Sequence, residues 1–217
     1  ISDLICKGST PKYYFISASG NKKTFTKSNL LKISKSFKEE QKKYNINLGG
    51  GDTVYSNKLS FTVTIIGFAK KIVYRNKSKL NDDIYVTGSL GDSYLGLLVL
   101  KNKIRLKKKL SNYFINRYYK PEVKYSLIRY LNKFATSSID LSDGLISDLE
   151  KLTNVQKNSY HLFFDEIPIS KNLAAVIKLK NLSKKNLISK GDDYQILFTA
   201  NVKHRTFIKN ISFLKKM

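Results

Sequence analysis

Four aspartates stand where an apolar run ends or a glycine turn begins: Asp3, Asp52, Asp140 and Asp143. The chain has only 16 acidic residues in 217, so carboxylates set inside apolar segments are notable. The sharpest case is Ser137-Ser138-Ile139-Asp140-Leu141-Ser142-Asp143-Gly144. There Asp140 leaves an apolar strand at its C-terminal end and Asp143 follows on the next turn. Two carboxylates that close repel unless a cation or a proton intervenes. Mg²⁺ is the natural cation, since it takes one or two hard oxygens together with phosphate and water. Ser142 and the start of the following helix add donors for a phosphate oxygen.

Taken singly, each signal has a plainer account. Ser142-Asp143-Gly144 is ordinary helix-capping chemistry, and alone that is the better reading of Asp143. Gly49-Gly50-Gly51-Asp52 reads as a loop whose glycines supply positive φ. Gly91-Asp92-Ser93 reads as a helix start. The sequence contains no Walker A loop, no zinc-spaced Cys/His cluster and no Gly-x-Ser-x-Gly elbow. His161 is expected as a packed histidine in an apolar strand, His204 as solvated, and Cys6 as a small apolar residue. None of the three supports a nucleophile.

The elements that must carry these residues follow from periodicity. Tyr13 to Ser19 reads as a strand, Gly20 to Lys23 as a turn, and Thr26 as the cap of a helix reaching about Tyr44 with the stripe Leu30, Ile33, Phe37 and Tyr44. Leu59, Phe61, Val63 and Ile65 alternate with Ser60, Thr62 and Thr64, the pattern of a half-buried strand. Arg75 to Asp83 is polar, which sets a domain boundary near Leu80 and divides the chain into 1–79 and 80–217. Beyond it come a strand at Ile84 to Thr87, a turn into an apolar helix at Gly88 to Asp92, and two basic helices, the second beginning after Pro121. A buried strand at Ser137 to Leu141 passes into a helix at Asp143. Strands at Tyr160 to Phe164 and Tyr194 to Thr199 flank a helix at Leu173 to Leu179. Alternating strands and helices in both halves indicate an α+β class in two layers.

Composition bounds the function. With 41% hydrophobic residues the chain can bury a core, which excludes disorder, collagen and coiled coil. No apolar run approaches the roughly 20 residues a bilayer span needs. A single cysteine builds no disulfide framework and points to a reducing compartment, so the expected location is the cytoplasm. The net charge of +24 suggests a polyanionic partner such as nucleic acid. Yet Arg75, Arg105, Arg117, Arg129 and Arg205 are the only arginines among 40 basic residues, Trp is absent, and the lysines are scattered. That is the mark of codon drift in an AT-rich genome, and nucleic-acid binding takes second place to it. The chain opens on Ile1 and its only methionine is Met217, so a fragment is expected.

Four ordered segments, taken together, resemble thiamine-monophosphate kinase. They are Gly50-Gly51-Asp52-Thr53, Tyr85 to Ser93 (Tyr-Val-Thr-Gly-x-x-Gly-Asp-Ser), Ile139 to Leu145 (Ile-Asp-Leu-Ser-Asp-Gly-Leu) and Gly191 to Thr199 (Gly-Asp-Asp-Tyr-x-x-Leu-Phe-Thr). Ser2-Asp3-Leu4 with Lys7 to Pro11 is similar to a further segment of that family. The resemblance implies ATP-dependent phosphorylation of thiamine monophosphate to thiamine diphosphate with Mg²⁺, by direct in-line transfer. It implies the two-domain fold shared with aminoimidazole ribonucleotide synthetase and selenophosphate synthetase, and a homodimer. Carried over by motif, Asp3, Asp52, Asp140 and Asp143 would bind Mg²⁺; Gly51, Asp52, Arg75 and Ser142 would contact ATP; Asp192 would contact substrate. No residue is assigned as a general base. The family's N-terminal Gly-Asp-Asp region and final segment find no match, so the resemblance implies truncation at both ends, with an inactive remnant as the alternative. The family's Gly-Glu-Asp-Tyr-Glu becomes Gly191-Asp192-Asp193-Tyr194-Gln195.

Overall fold

Alternating residues and 3.6-residue stripes produce most of the expected strands and helices, in a computed structural model that describes residues 1–217. The elements are α1 (Ser2–Ile5), β1 (Thr10–Gly20), α2 (Lys27–Tyr44), β2 (Asn47–Tyr55), β3 (Ser60–Phe68), β4 (Asp82–Thr87), α3 (Asp92–Leu100) and α4 (Lys108–Tyr119). They continue as α5 (Ile128–Phe134), β5 (Ala135–Asp140), α6 (Leu145–Thr153), α7 (Lys171–Lys180), α8 (Lys184–Ile188), β6 (Ile196–Asn201), α9 (Arg205–Lys209) and β7 (Leu214–Lys216). The class is α+β.

The chain forms two compact units, one of Ile1 and Ser9–Lys70, the other of Ser2–Gly8 and Lys71–Met217. The units separate ahead of the polar stretch around Leu80 because residues 71–79 are tied into the second one. The Val73 N–H donates to the Lys7 carbonyl at 3.1 Å, and the Ser138 N–H donates to the Tyr74 carbonyl at 3.2 Å.

The first unit is a three-stranded sheet in the order β2-β1-β3, with β1 and β2 parallel and β1 and β3 antiparallel. α2 is the crossover that a parallel pair requires. The Thr26 hydroxyl accepts the Asn29 N–H at 3.2 Å to start it. Phe37 of α2 stacks on Tyr14 with ring centroids 5.9 Å apart, and Gln41 donates to the Tyr14 hydroxyl at 2.8 Å. Gly49 to Asp52, expected as a loop, lies inside β2. The Gly51 position explains this: a Cβ there would come within 2.0 Å of the Ile16 carbonyl oxygen, so glycine lets the two backbones pair closely. β3 forms as expected but is not half-buried, since Phe61 and Val63 remain 38% and 51% exposed. One helix on three strands covers too little of the sheet.

The second unit carries a sheet in the order β5-β6-β4-β7 with antiparallel neighbours throughout. Ile84, Val86, Ile139 and Leu197 pack with Leu145, Leu149 and Leu152 of α6 into the main core. The opposite face stacks Tyr85 on Phe198, with Phe134 of α5 beside it. A second core joins Leu95, Phe114, Leu173, Val176 and Leu187.

Four local expectations are corrected. Residues 160–163 form no strand, and a single 3₁₀ turn, Phe164–Glu166, follows. His161 accordingly is exposed and stacks on Phe163 at 4.9 Å instead of packing in a core. Pro121 does not open a helix; helical structure resumes at Tyr125, with α5 at Ile128. Gln195 donates to the Glu122 carbonyl at 2.9 Å and so ties down the intervening loop. His204 is half-buried and ends a 3₁₀ turn.

Candidate active site

β5 is an edge strand, and three segments distant in sequence converge on its end. Lys7 donates to the Ser138 carbonyl at 3.2 Å, and the Tyr74 carbonyl takes the Ser138 N–H. α1 thereby delivers Ser2 and Asp3 to Asp140, whose Oδ2 accepts the Ser2 hydroxyl at 3.0 Å. Asp140 is only 7% exposed. Burial first, and then the neighbouring negative charge of Asp3, push its carboxyl above the usual carboxylate range. Cys6 packs beneath, fully buried, and burial raises its thiol to about 12. A thiol held protonated in this way is an inert packing group, as expected.

Beyond Asp140 the loop is clamped from both sides. The Leu141 N–H donates to the Gln195 carbonyl at 2.8 Å, and the Leu141 carbonyl accepts the Tyr194 N–H at 2.9 Å. The Ser142 carbonyl accepts the Asp192 N–H at 3.1 Å. A Cβ on Gly191 would fall 1.7 Å from that same carbonyl oxygen, so only glycine permits the approach. Asp192 sits at φ 69°, half-buried, with the Tyr194 hydroxyl 3.3 Å from its carboxylate.

Asp143 is not a helix cap. Its backbone N–H and that of Gly144 instead donate to the carboxylate of Asp148, at 2.9 and 3.2 Å. Asp148 is completely buried. Its other oxygen accepts Lys151 at 2.8 Å, and Lys151 also pairs with the exposed carboxylate of Asp143. Sequence reading passed over Asp148. The available signal was an acidic residue in the first turn of α6, where a carboxylate meets unpaired backbone donors.

Asp3, Arg75, Asp140, Ser142, Asp148 and Lys151 all line one cavity of about 640 Å³. The structure thus brings together four of the singled-out residues: Asp3, Asp140, Ser142 and Arg75. Gly51 and Asp52 lie on β2 in the first unit, where Asp52 is exposed and accepts the N–H of Thr53 at 2.7 Å. No group of three or more acidic, His or Cys side chains is arranged to hold a metal unaided. A pair of hard carboxylates with no ion-pair partner among the side chains fits Mg²⁺, which fills its remaining positions with water and phosphate oxygens.

A pair of carboxylates that are both buried, Asp92 and Asp193, was also missed. Asp193 accepts the N–H of Gly91 at 2.7 Å, and burial raises its carboxyl to about 7. Asp92 accepts the hydroxyls of Ser170 at 2.7 Å and Tyr113 at 2.8 Å.

This geometry can be set beside known proteins. Residues 1–69 match the family described as AIR synthase related protein, N-terminal domain. Over its whole length the chain is 37% identical to the thiamine-monophosphate kinase of Buchnera aphidicola subsp. Schizaphis graminum, covering 67% of that protein. The chain belongs to the thiamine-monophosphate kinase family. The Buchnera aphidicola subsp. Acyrthosiphon pisum member is 36% identical, again over the whole chain and 66% of that relative. The chain therefore spans about two thirds of the length of the family members it matches. The solved structure described as AaThiL complexed with AMPPCP and TMP superposes with a TM-score of 0.91 at 25% identity, over 100% of this chain and 69% of that one. The thiamine monophosphate kinase of Aquifex aeolicus gives 0.90 at 25% identity, over 100% of this chain and 72% of that one. The fold is that of the AIR synthase superfamily, and no helix is long and apolar enough to cross a membrane.

Proposed function

We propose that this chain takes part in ATP-dependent phosphorylation of thiamine monophosphate to thiamine diphosphate. The observation that carries the reading is the Asp3–Asp140 pair, with Asp140 buried and neither carboxylate ion-paired to a side chain, in a cavity shared with Arg75 and Ser142, in a chain of this family. Asp3 and Asp140 would hold Mg²⁺, with Asp52 and Asp143 as further ligands by motif. When bound, Mg²⁺ supplies charge neutralisation on the phosphates. Arg75 presents a guanidinium to the nucleotide phosphates, and the Ser142 hydroxyl donates to a phosphate oxygen. Gly51 and Asp52 are assigned to ATP and Asp192 to the acceptor substrate.

The chain's contribution is to orient and neutralise; phosphoryl transfer asks little covalent chemistry of a protein. No general base is needed, because a phosphate monoester is already largely ionised near pH 7. That agrees with an inert Cys6 and an exposed His161 away from the cavity. Residues 1–79 are read as the ATP-binding and dimerisation part, 80–217 as the α/β part. Tyr13, Phe15, Ile66 and Phe68 leave apolar surface on the first unit's sheet, which supports a homodimer. The cytoplasm remains the proposed compartment.

The test is thermal stability of the chain with a non-hydrolysable ATP analogue, with and without Mg²⁺. Stabilisation only when both are present is expected, followed by turnover of thiamine monophosphate. No shift in the folded protein would favour an inactive remnant.

A further inference from the structure

The carboxylates of the second unit assigned to the metal are unequally neutralised. Asp3 and Asp140 have no ion-pair partner, and Asp140 receives only the Ser2 hydroxyl from another side chain. Asp143, by contrast, is paired with the ammonium of Lys151, which is itself anchored at 2.8 Å to Asp148 one helical turn earlier. Asp148 is completely buried, and its remaining hydrogen bonds come from the N–H groups of Asp143 and Gly144. A buried carboxylate therefore holds the lysine, and the same carboxylate holds the loop bearing Asp143. Lys151 lines the cavity with Asp3 and Asp140, and its side chain is still 38% exposed, so it has room to swing away.

An ammonium and a divalent cation seek the same hard oxygen, and two cations crowded on one carboxylate repel. We propose that Lys151 is a tethered cation that competes with a divalent metal for Asp143 and thereby weakens metal binding at this site. The inference rests on the metal reading given above and adds a regulator to it. In the metal-free chain Lys151 holds Asp143 and the loop in place; on metal binding Asp143 is released while Asp148 keeps the lysine close. The device stabilises the loop at a cost in metal affinity. These two effects have opposite signs when Lys151 is replaced, which separates competition from a purely structural role.

The experiment is calorimetric titration of the full chain with Mg²⁺, and with Mn²⁺ as a second probe, at fixed ionic strength, with melting curves recorded without metal. Lys151→Met is expected to bind metal about fivefold more tightly while melting at a lower temperature. Lys151→Gln removes the charge but keeps a donor for Asp148, so it should show the same tightening with a smaller loss of stability. Lys151→Arg should stay near the parent in both. Unchanged or weaker metal binding in Lys151→Met and Lys151→Gln, beside normal uptake by the parent, overturns this inference alone. Uptake by neither parent nor variants overturns the metal reading along with it.

Discussion

Two pairs of carboxylates occupy the second unit, one wholly buried and one with Asp140 buried and Asp3 exposed, and they are built in opposite ways. Asp92 and Asp193 draw their donors from the fold itself: hydroxyls of Ser170 and Tyr113 for the first, the N–H of Gly91 for the second. Asp3 and Asp140 receive one hydroxyl, from Ser2, and otherwise face each other's charge across an open cavity. Both arrangements raise a carboxyl, in each case chiefly by burial. The first pair is internally satisfied and acts as a strut joining α3, the β6 approach and the start of α7. Neither carboxylate of the second pair has an ion-pair partner in the chain, which is the condition for taking up a cation from outside. Burial of an acid is thus a poor guide to function until its donors are counted.

The largest expected effect breaks this comparison at the open pair. Asp140→Asn should weaken Mg²⁺-dependent nucleotide binding by on the order of 100-fold or more, beyond what loss of an outer hydrogen-bond partner of a metal ligand costs. Folding should survive, since the change removes a repulsion. Titration with a nucleotide analogue, paired with circular dichroism, measures both. Equal binding by Asp140→Asn and the parent would remove the metal-ligand assignment.

At the closed pair the change should appear in stability instead. Asp193→Ala strips the acceptor from the start of α3 and should cost about 1–3 kcal/mol in denaturant unfolding. Nucleotide affinity of the folded fraction should not change.

Asp193→Asn sharpens the contrast through pH. The folded value of about 7 lies above the ordinary 3.8, so between those pH values the folded state keeps a proton that the unfolded state has released. Stability contributed by this group is therefore complete below about pH 4 and is lost as pH rises through about 7. Melting temperatures of the parent, corrected for the other groups with the Asn variant, should fall across that window. A parent and variant with parallel profiles would show that Asp193 does not titrate there.

The smallest effect concerns Asp192, which carries a carboxylate one methylene shorter than the family's glutamate. Asp192→Glu should tighten thiamine monophosphate binding by no more than about fivefold, readable by titration in the presence of nucleotide.

Much of the scaffold was legible because its elements are local. Thr26 caps α2 through its own side chain, and the Leu59–Ile65 alternation gives β3 whatever lies nearby. Asp140 at the end of an apolar strand was legible for the same reason. Gly49 to Asp52 was misread because local glycine chemistry points to a turn, whereas pairing with β1 makes these residues a strand. Residues 160–163 were misread in the opposite sense. They look like a strand but find no sheet edge, since β5 and β7 end the second sheet elsewhere.

By itself the sequence determined most of the elements, the α+β class, the family motifs and the carboxylates that end apolar runs. All of these depend on residues within a few positions of one another. Only the tertiary structure decided which carboxylates are neutralised. Asp193 finds its donor 102 residues away at Gly91, and Ser2 reaches Asp140 across 138. Asp148, buried beneath the loop, turned Asp143 from the expected helix cap into the partner of Lys151. Charge and desolvation act through space, and no periodicity along the chain encodes the distance between residues brought together by the fold.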